Sequence, residues 1–251
     1  MTNHKTILEL KNLGIAFESK DQTLEALKDV SFEVRKNEFL GIVGPSGCGK
    51  TTLLNAIGGL LSLTSGKISY PGFDVKNISF VFQDSTLLPW RSVVDNIVLP
   101  LEIKQKQDKE DFYSKARQLL KLVGLEKFEG VYPQELSGGM KQRVSIARAL
   151  ISEPLVLLMD EPFGALDEIT RNRMNIKLNE IWRKTDKTVV FITHSIPEAV
   201  FLSQRVIVLS SSPGTVKEII EINLPETRDM EILKSKEYLE HLIQIRKILY
   251  S

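Results

Sequence analysis

The clearest chemistry in this chain lies in a glycine-rich loop that carries a lysine and two threonines. Residues 44 to 52 read GPSGCGKTT and follow the apolar run 39 to 43. This is the pattern G-x-x-x-x-G-K-[ST] between a strand and a helix, in which backbone N–H groups and a helix N-terminus surround phosphate oxygens. A glycine-rich turn that binds nothing is the alternative, but the lysine–threonine offset and the preceding strand argue against it. The pattern therefore predicts a site for a nucleoside triphosphate.

Three side chains of this loop have separate expected roles. Lys50 would place its charge at the β- and γ-phosphates, and the Thr51 hydroxyl would hold Mg²⁺. Cys48, the single cysteine, has no acid–base partner in the sequence, so we interpret it as a small filler and not as a nucleophile. We expect the nucleotide to contact Gly44, Pro45, Ser46, Gly47, Cys48, Gly49, Lys50, Thr51 and Thr52.

A second candidate element is a hydrophobic strand that ends in two carboxylates. Residues 155 to 162 read LVLLMDEP, and ligands of open parallel sheets bind beyond the carboxyl ends of the strands. Asp160 would orient Mg²⁺ and its waters, and Glu161 would polarise the attacking water. A purely structural carboxylate pair is the alternative. The five apolar residues before the pair and the upstream phosphate loop favour the functional interpretation.

A third element is a helix start at residues 136 to 143, which read LSGGMKQR. Ser137 is a favourable N-cap, but two glycines begin a helix poorly if the helix only packs. Because Gly138 and Gly139 lack side chains, their N–H groups can approach a phosphate directly. The chain already has a loop for its own triphosphate, so this helix end is best explained as serving the nucleotide of another subunit. The sequence thus predicts a head-to-tail dimer that closes over two nucleotides.

The ordered set of motifs resembles the nucleotide-binding subunit of an ATP-binding cassette (ABC) transporter, and the resemblance covers nearly the whole chain. Its helix-opening signature is nearly diagnostic, because other phosphate-loop ATPases lack it. The resemblance implies an ATPase that uses ATP and Mg²⁺. The matching positions are 44–52, Gln83, the signature 136–140, Asp160, Glu161, the stretch 164–167 and His194.

The resemblance also assigns roles to three residues outside the loop. It implies that Gln83 acts at Mg²⁺ and the lytic water and senses a membrane partner. Asp167 would stabilise the dimer seam, and His194 would touch the γ-phosphate. From the residues alone, His194 could instead be a histidine satisfied at a strand end, but its position at the same sheet edge as Asp160 favours function.

Two positions bear on how closely the family pattern is followed. Met140 stands where the signature commonly ends in glutamine, and it cannot donate a hydrogen bond to ribose or phosphate. We expect activity to be retained, because the residues from Ser137 to Gly139 supply the essential donors. Phe17 stands where an aromatic residue stacks on adenine, and a core position for Phe17 is the alternative.

Three segments, 83–91, 196–203 and 208–214, are similar to one importer branch of the family. That branch serves nitrate, sulfonate, taurine and related small organic solutes, including some vitamin precursors. The resemblance implies two copies of this subunit, two copies of a membrane permease and an extracytoplasmic solute-binding protein. The side chains of Leu87, Leu88 and Trp90 would either line a groove for a permease helix or be buried in the core.

Two other functions compete with the importer. A soluble ABC ATPase that acts on DNA or the ribosome would carry long coiled-coil insertions or a second cassette, and this sequence shows neither. A phosphate-loop kinase would transfer phosphate to a metabolite, but it would have no use for the signature at Ser137.

The elements that must position these residues follow from the apolar pattern. It predicts an α/β fold, with a phosphate-loop (RecA-like) parallel sheet core, an N-terminal antiparallel β subdomain and an inserted α-helical subdomain. Residues 88–152 are expected to form the helical part of a single domain, and 1–87 with 153–251 its core lobe. Strands are expected at 7–10, 15–17, 30–34 and 39–43 in a mostly antiparallel sheet, then at 67–70, 78–82, 155–159, 189–192 and 206–209, with helices at 49–60 and 166–183.

Composition limits the partners of the chain. With 33 basic and 32 acidic residues, the net charge is +1, which gives no electrostatic footprint for nucleic acid. No apolar stretch approaches the roughly 18 residues that span a bilayer. We therefore expect a soluble protein held peripherally at the cytoplasmic face of the cell membrane by its permease. The segment 229–250 has apolar residues at rough helical spacing, namely Ile232, Leu239, Leu242, Ile243 and Leu249. We expect it to pack on its own core, and binding to a partner or to a membrane surface is the alternative.

Overall fold

The chain begins with two long antiparallel strands. The computed structural model describes residues 5–19, 22–104 and 109–250. Strands β1 (Thr6–Ser19) and β2 (Gln22–Arg35) pair along their length, and β4 (Ser65–Ser69) pairs antiparallel with the other edge of β1. The separate short strands that the sequence predicts here are continuous, because shifts in register absorb the irregular apolar spacing.

The second sheet has six strands in the order β5-β6-β7-β3-β8-β9. All neighbours are parallel except β8 and β9, which pair antiparallel. The α/β class with a parallel core and an antiparallel β portion is therefore confirmed. The strands are β3 (Phe39–Val43), β5 (Ile78–Val81), β6 (Val156–Asp160), β7 (Thr188–Ile192), β8 (Arg205–Leu209) and β9 (Val216–Glu221).

Strand β3 corrects one expectation. The sequence pattern placed Phe39–Val43 among the strands of the antiparallel sheet, but β3 lies inside the parallel sheet between β7 and β8. All five of its residues are buried. A continuous apolar strand of this kind is stable only in a sheet covered on both faces, so its burial pattern explains its position.

Helices cover both faces of this sheet. Helix α5 begins two residues later than expected, because Asp167 caps it. Helix α1 ends at Ile57, where Gly58 is the C-cap. The helices are α1 (Lys50–Ile57), α2 (Val93–Lys104), α3 (Lys109–Val123), α4 (Gly138–Leu150), α5 (Glu168–Thr185), α6 (Ile196–Leu202) and α7 (Lys236–Tyr250).

The six-stranded sheet separates two hydrophobic cores. On one face, Phe39 and Val43 of β3 pack with residues of α2 to α7. On the other face, Leu40 and Ile42 pack with α1 and the three-stranded sheet. This alternation along one strand is the two-residue period of a β-strand buried on both sides. The carboxyl ends of the strands consequently meet at one edge, where the predicted site residues follow them.

Helix α7 packs on its own domain along part of its surface. Tyr238 and Ile245 are buried, and the Tyr238 hydroxyl donates to the Pro197 carbonyl at 3.2 Å. Leu239 and Ile243, which the sequence pattern grouped with the apolar face, are exposed, because the side of the helix that packs on the core carries Tyr238, Leu242, Ile245 and Leu249. Within the described ranges, none of the helices combines the length and the apolar character needed to cross a membrane.

Candidate functional site

The phosphate loop turns sharply between β3 and α1. Gly47 and Gly49 have φ angles of +77° and +89°, which residues with a side chain rarely adopt. A Cβ on Gly49 would also lie 2.8 Å from the Ala26 carbonyl oxygen. The Cys48 side chain points into the core beneath the loop and is 1% exposed. It is a filler, as the sequence predicts, and burial raises the pKa of its thiol.

Lys50 lies within the loop that the sequence predicts for phosphate. Its ammonium donates hydrogen bonds to the carbonyls of Gly44 at 3.0 Å and Pro45 at 3.1 Å. The residue is otherwise buried. A buried ammonium needs such acceptors, so the loop itself determines where this positive charge is held.

Asp160 ends strand β6 beside the first turn of α1. Burial raises the pKa of the Asp160 carboxyl, while a hydrogen bond from Thr51 and the charge of Lys50 oppose this increase. The neighbouring Glu161 carboxylate raises the pKa further. The predicted metal-binding pair Thr51 and Asp160 is thus brought together, and both groups offer the oxygen atoms that Mg²⁺ prefers.

Glu161 and His194 meet although 33 residues separate them in the sequence. The His194 Nδ1 lies 2.8 Å from Glu161 Oε2, and the His194 ring remains half exposed. Glu161 has a φ angle of +42°, and its N–H donates to the Ile192 carbonyl at 2.9 Å. A left-handed backbone at a residue with a side chain costs free energy, so the surrounding contacts must hold Glu161 in this conformation.

Gln83 follows β5, the edge strand next to β6. A Cβ built on Gly164 would lie 3.5 Å from Gln83 Nε2 and 3.6 Å from Glu161 Oε2, so both side chains approach the same glycine. Three neighbouring strands, β5, β6 and β7, therefore deliver Gln83, Glu161 and His194 to one edge of the sheet. Strand ends predicted that Glu161 and His194 lie at this edge, whereas the role expected of Gln83 came from the family resemblance.

An open cleft of about 360 Å³ runs along the phosphate loop. Phe17 forms part of its wall and is 44% exposed, so the alternative of a core position is wrong. Leu24, which the sequence did not single out, pairs with Phe17 across the β1–β2 ladder and also lines the cleft. The residues lining it are Phe17, Leu24, Ala26, Ser46, Gly47, Gly49, Lys50, Thr51, Thr52 and Glu161.

The signature residues lie outside this cleft. Ser137 caps α4, and its hydroxyl accepts a hydrogen bond from the Met140 N–H at 3.3 Å. A Cβ on Gly138 would lie 3.3 Å from Leu166, just before Asp167, whose side chain accepts from the Thr170 N–H at 3.0 Å. Hydrogen bonds from the backbone and the side chain of Thr170 lower the pKa of Asp167. The exposed starts of α4 and α5 are thus neighbours.

Helix α4 is hydrogen-bonded to the segment on both sides of Gln83. The Gln142 amide donates to the Phe82 carbonyl at 3.0 Å, and the Arg148 guanidinium donates to the carbonyls of Ser85 and Thr86, each at 2.8 Å. A sequence pattern does not reveal these contacts, because the partners are about 60 residues apart. The signature helix and the Gln83 segment are therefore mechanically linked.

The three apolar residues of this segment have different environments. Trp90 is 72% exposed, so burial in the core is wrong for this residue. Leu87 instead packs against the main core, and Leu88 is partly exposed. Met140, the departure from the family signature, also packs against the core.

Comparison with known proteins places these motifs in a family. The family model described as ABC transporter matches residues 27–164. A taurine import ATP-binding protein from Rhizobium johnstonii is 45% identical, with 98% of this chain and 97% of the relative covered. A nitrate import ATP-binding protein from Synechocystis is 43% identical, covering 96% and 94%.

A solved structure agrees with the sequence comparison. It is a dimeric ATP-binding cassette in a post-hydrolysis state bound to ADP and Pi, and it is 34% identical to this chain. The TM-score is 0.75, with 87% of this chain and 100% of that chain covered. Together with the motifs, these similarities show that the chain belongs to the ABC transporter family.

Proposed function

We propose that this chain is the ATP-hydrolysing subunit of an ABC importer for a small solute of the nitrate, sulfonate, taurine or vitamin-precursor type. The observation that carries the proposal is the convergence at one sheet edge of the phosphate loop, the Thr51–Asp160 pair and the Glu161–His194 contact. The import names of the relatives favour uptake over the two alternatives, an ABC ATPase acting on DNA or the ribosome and a phosphate-loop kinase.

The proposed roles follow from where each group lies. Lys50 and the loop N–H groups from Gly44 to Thr52 bind the phosphates of ATP, and Phe17 stacks on adenine. Glu161 orients the attacking water, and His194 contacts the γ-phosphate. Catalysis of this kind depends mainly on positioning and charge stabilisation. Gln83 and the Thr51–Asp160 pair would hold Mg²⁺, which when bound neutralises charge on the phosphate oxygens.

We propose that a second copy of the chain completes each site. The cleft contains no residue of the signature within the described ranges, whereas Ser137 and Gly138 are exposed at the start of α4. In a symmetric dimer, Ser137 to Gly139 of one copy would face the triphosphate held by the other, with Asp167 at the seam. A permease dimer at the cytoplasmic face of the membrane and an extracytoplasmic solute-binding protein complete the proposed assembly. The assignment of residues 88–152 to an inserted helical subdomain, separate from the core lobe, remains a prediction.

Mixing two inactive variants tests the shared site. Ser137→Glu places a negative charge where the partner's phosphate would bind, and Glu161→Gln removes the water-orienting carboxylate. In a mixed dimer one site combines both intact halves, so an equal mixture should recover about a quarter of the wild-type ATPase rate. A mixture that stays as inactive as either variant alone would show that each site is built within one chain.

A matched variant controls for the loss of a carboxylate. Glu180→Gln changes an exposed glutamate of α5 that pairs with Lys177 at 3.1 Å and does not line the cleft. It should keep the wild-type ATPase rate, while Glu161→Gln should retain ATP binding and stop hydrolysis.

Co-purification with membranes only when the permease is co-expressed would support the importer, and recovery with ribosomes or DNA would refute it.

A further inference from the structure

A buried carboxylate lies directly behind the turn that carries His194. Glu198, in the first turn of α6, is 4% exposed. Its Oε2 accepts a hydrogen bond from the Thr193 hydroxyl, and its Oε1 lies 3.8 Å from Arg171 Nε. A buried carboxylate is costly unless such partners compensate it, and removing one partner leaves an uncompensated charge. The Thr193 hydroxyl and the Arg171 charge are therefore the groups that compensate this carboxylate, and Oε1 makes no hydrogen bond within the described residues.

The Thr193 hydroxyl connects Glu198 to the His194 turn. It accepts a hydrogen bond from the Ser195 N–H at 2.9 Å, so residues 193 and 195 are bonded to each other across the His194 backbone. The Thr193 N–H donates to the Ile42 carbonyl at 3.2 Å, close to the start of the phosphate loop. The hydroxyl thus donates to Glu198 and accepts from the turn at the same time.

The capping of helix α6 at Ser195 also indicates that Glu198 supports the His194 turn. The sequence Ser195-Ile196-Pro197-Glu198 matches a capping box, in which the glutamate bonds the N–H of the N-cap residue. Here the Ser195 N–H bonds the Thr193 hydroxyl instead, and Glu198 bonds that hydroxyl. The carboxylate is therefore directed toward Thr193 and does not complete the capping box.

Arg171 extends these contacts to the second catalytic loop. Its Nη2 donates to the Leu166 carbonyl at 2.6 Å, and its Nε donates to the Phe163 carbonyl at 3.4 Å. These carbonyls belong to the loop that starts at Glu161 and leads to Asp167. The loop is closed on itself by the Gly164 N–H, which donates to the Glu161 carbonyl at 3.0 Å.

We propose that Arg171 and Glu198 are positioning residues that hold the Glu161 loop and the His194 turn in register. Hydrogen bonds join the 163–166 loop to Arg171, an ion pair at 3.8 Å joins Arg171 to Glu198, and the Thr193 hydroxyl joins Glu198 to the His194 turn. The proposal rests on the proposed function, in which Glu161 and His194 act on water and phosphate. The Glu161–His194 contact joins two partly exposed side chains, whereas the Thr193–Glu198 hydrogen bond behind it is buried and shielded from water.

Thr193→Val tests the proposal with little change in volume. It removes the hydroxyl that joins Glu198 to the His194 turn, so kcat should fall about tenfold because the catalytic groups shift relative to each other. ATP affinity should stay within about twofold, since the phosphate loop is untouched. Thr193→Ser restores the hydroxyl and should restore kcat. An unchanged kcat in Thr193→Val would overturn the proposal.

A double variant tests whether the contacts act as one chain. Arg171→Met alone should lower kcat, and combining it with Thr193→Val should add little, because either change interrupts the same path. If the reduction in kcat of the double variant equalled the product of the two single reductions, the two residues would act independently. This result too would contradict the proposal.

The chain offers a matched control for simple destabilisation. Glu38 is a buried glutamate that pairs with Arg205 at 2.8 Å, at the amino end of β3 and away from the cleft. Glu38→Gln should lower the free energy of unfolding without changing kcat per folded molecule. If Glu161→Gln keeps hydrolysis, the proposed function fails; if it stops hydrolysis while Thr193→Val does not alter kcat, only this inference fails.

Discussion

Replacing Gly214 with alanine would place a methyl group against the backbone of the phosphate loop. A Cβ at this position would lie 2.1 Å from the Cys48 carbonyl oxygen and 3.1 Å from Leu27 Cδ2. Gly214 cannot easily move away, because its N–H donates to the Ala26 carbonyl at 2.9 Å and its carbonyl accepts from the Lys28 N–H at 3.0 Å. Its φ angle is not positive, so the expected effect is steric.

The size of the effect follows from this contact. Overpacking a well-packed interior costs about 1–3 kcal/mol. For a chain of this size, each kcal/mol lowers Tm by about 2–4 °C, which predicts a decrease of about 2–12 °C. The atom that must yield belongs to the phosphate loop itself. We therefore expect the affinity for ATP to fall as well. Each 1.4 kcal/mol or so of steric cost that destabilises the nucleotide-bound conformation would lower this affinity about tenfold.

The assay compares Gly214→Ala with a glycine that has free space. A Cβ on Gly130 would meet no atom within 4 Å, so Gly130→Ala serves as the matched control. Thermal unfolding and ATP binding by calorimetry would be measured for both variants. Equal Tm values and equal ATP affinities for the two would refute the argument that Gly214 supports the loop.

Two further predictions concern groups that titrate. Because Cys48 is buried with a raised pKa, alkylation of the folded protein near pH 8 should be at least about tenfold slower than in denaturant, as measured by mass spectrometry; equal rates would place the thiol at the surface. Hydrogen bonds from Ser92 and Tyr113 lower the pKa of Asp95 below its ordinary value of 3.8, so its ionised form stabilises the helical region above that value, and this stabilisation is lost as the pH falls through the lowered pKa. The difference in unfolding free energy between wild type and Asp95→Asn should therefore be largest near pH 6 and shrink below about pH 4, whereas a constant difference would contradict the assignment.

Much of the site could be predicted because its residues follow strands. A parallel sheet brings the carboxyl ends of its strands to one edge whatever the intervening segments do. For this reason the positions of Asp160, Glu161 and His194 could be predicted from local pattern, whereas Gln83 was identified through the family resemblance. Phe17 was harder, because an aromatic residue in a strand can face either side, and only the exposed cleft wall decides between them.

Other features depend on contacts that local pattern does not encode. The apolar run 39–43 predicted a strand. The place of this strand inside the parallel sheet depends on pairing with β7 and β8, which are more than a hundred residues away. The exposure of Leu239 and Ile243 on α7 was likewise misassigned, since rough helical spacing does not identify which of two apolar sides meets the core.

The phosphate loop, the order of the motifs and the α/β class could be predicted from the sequence. These depend on short-range geometry: glycine conformations, strand and helix periods, and charge placed a fixed number of residues from a turn. Only in the folded chain do Arg171, Glu198 and Thr193 connect the Glu161 loop with the His194 turn, and only there does Gly214 lie under Cys48. Such contacts join segments far apart in the chain, and they form only when the whole sheet has assembled and removed the groups involved from water.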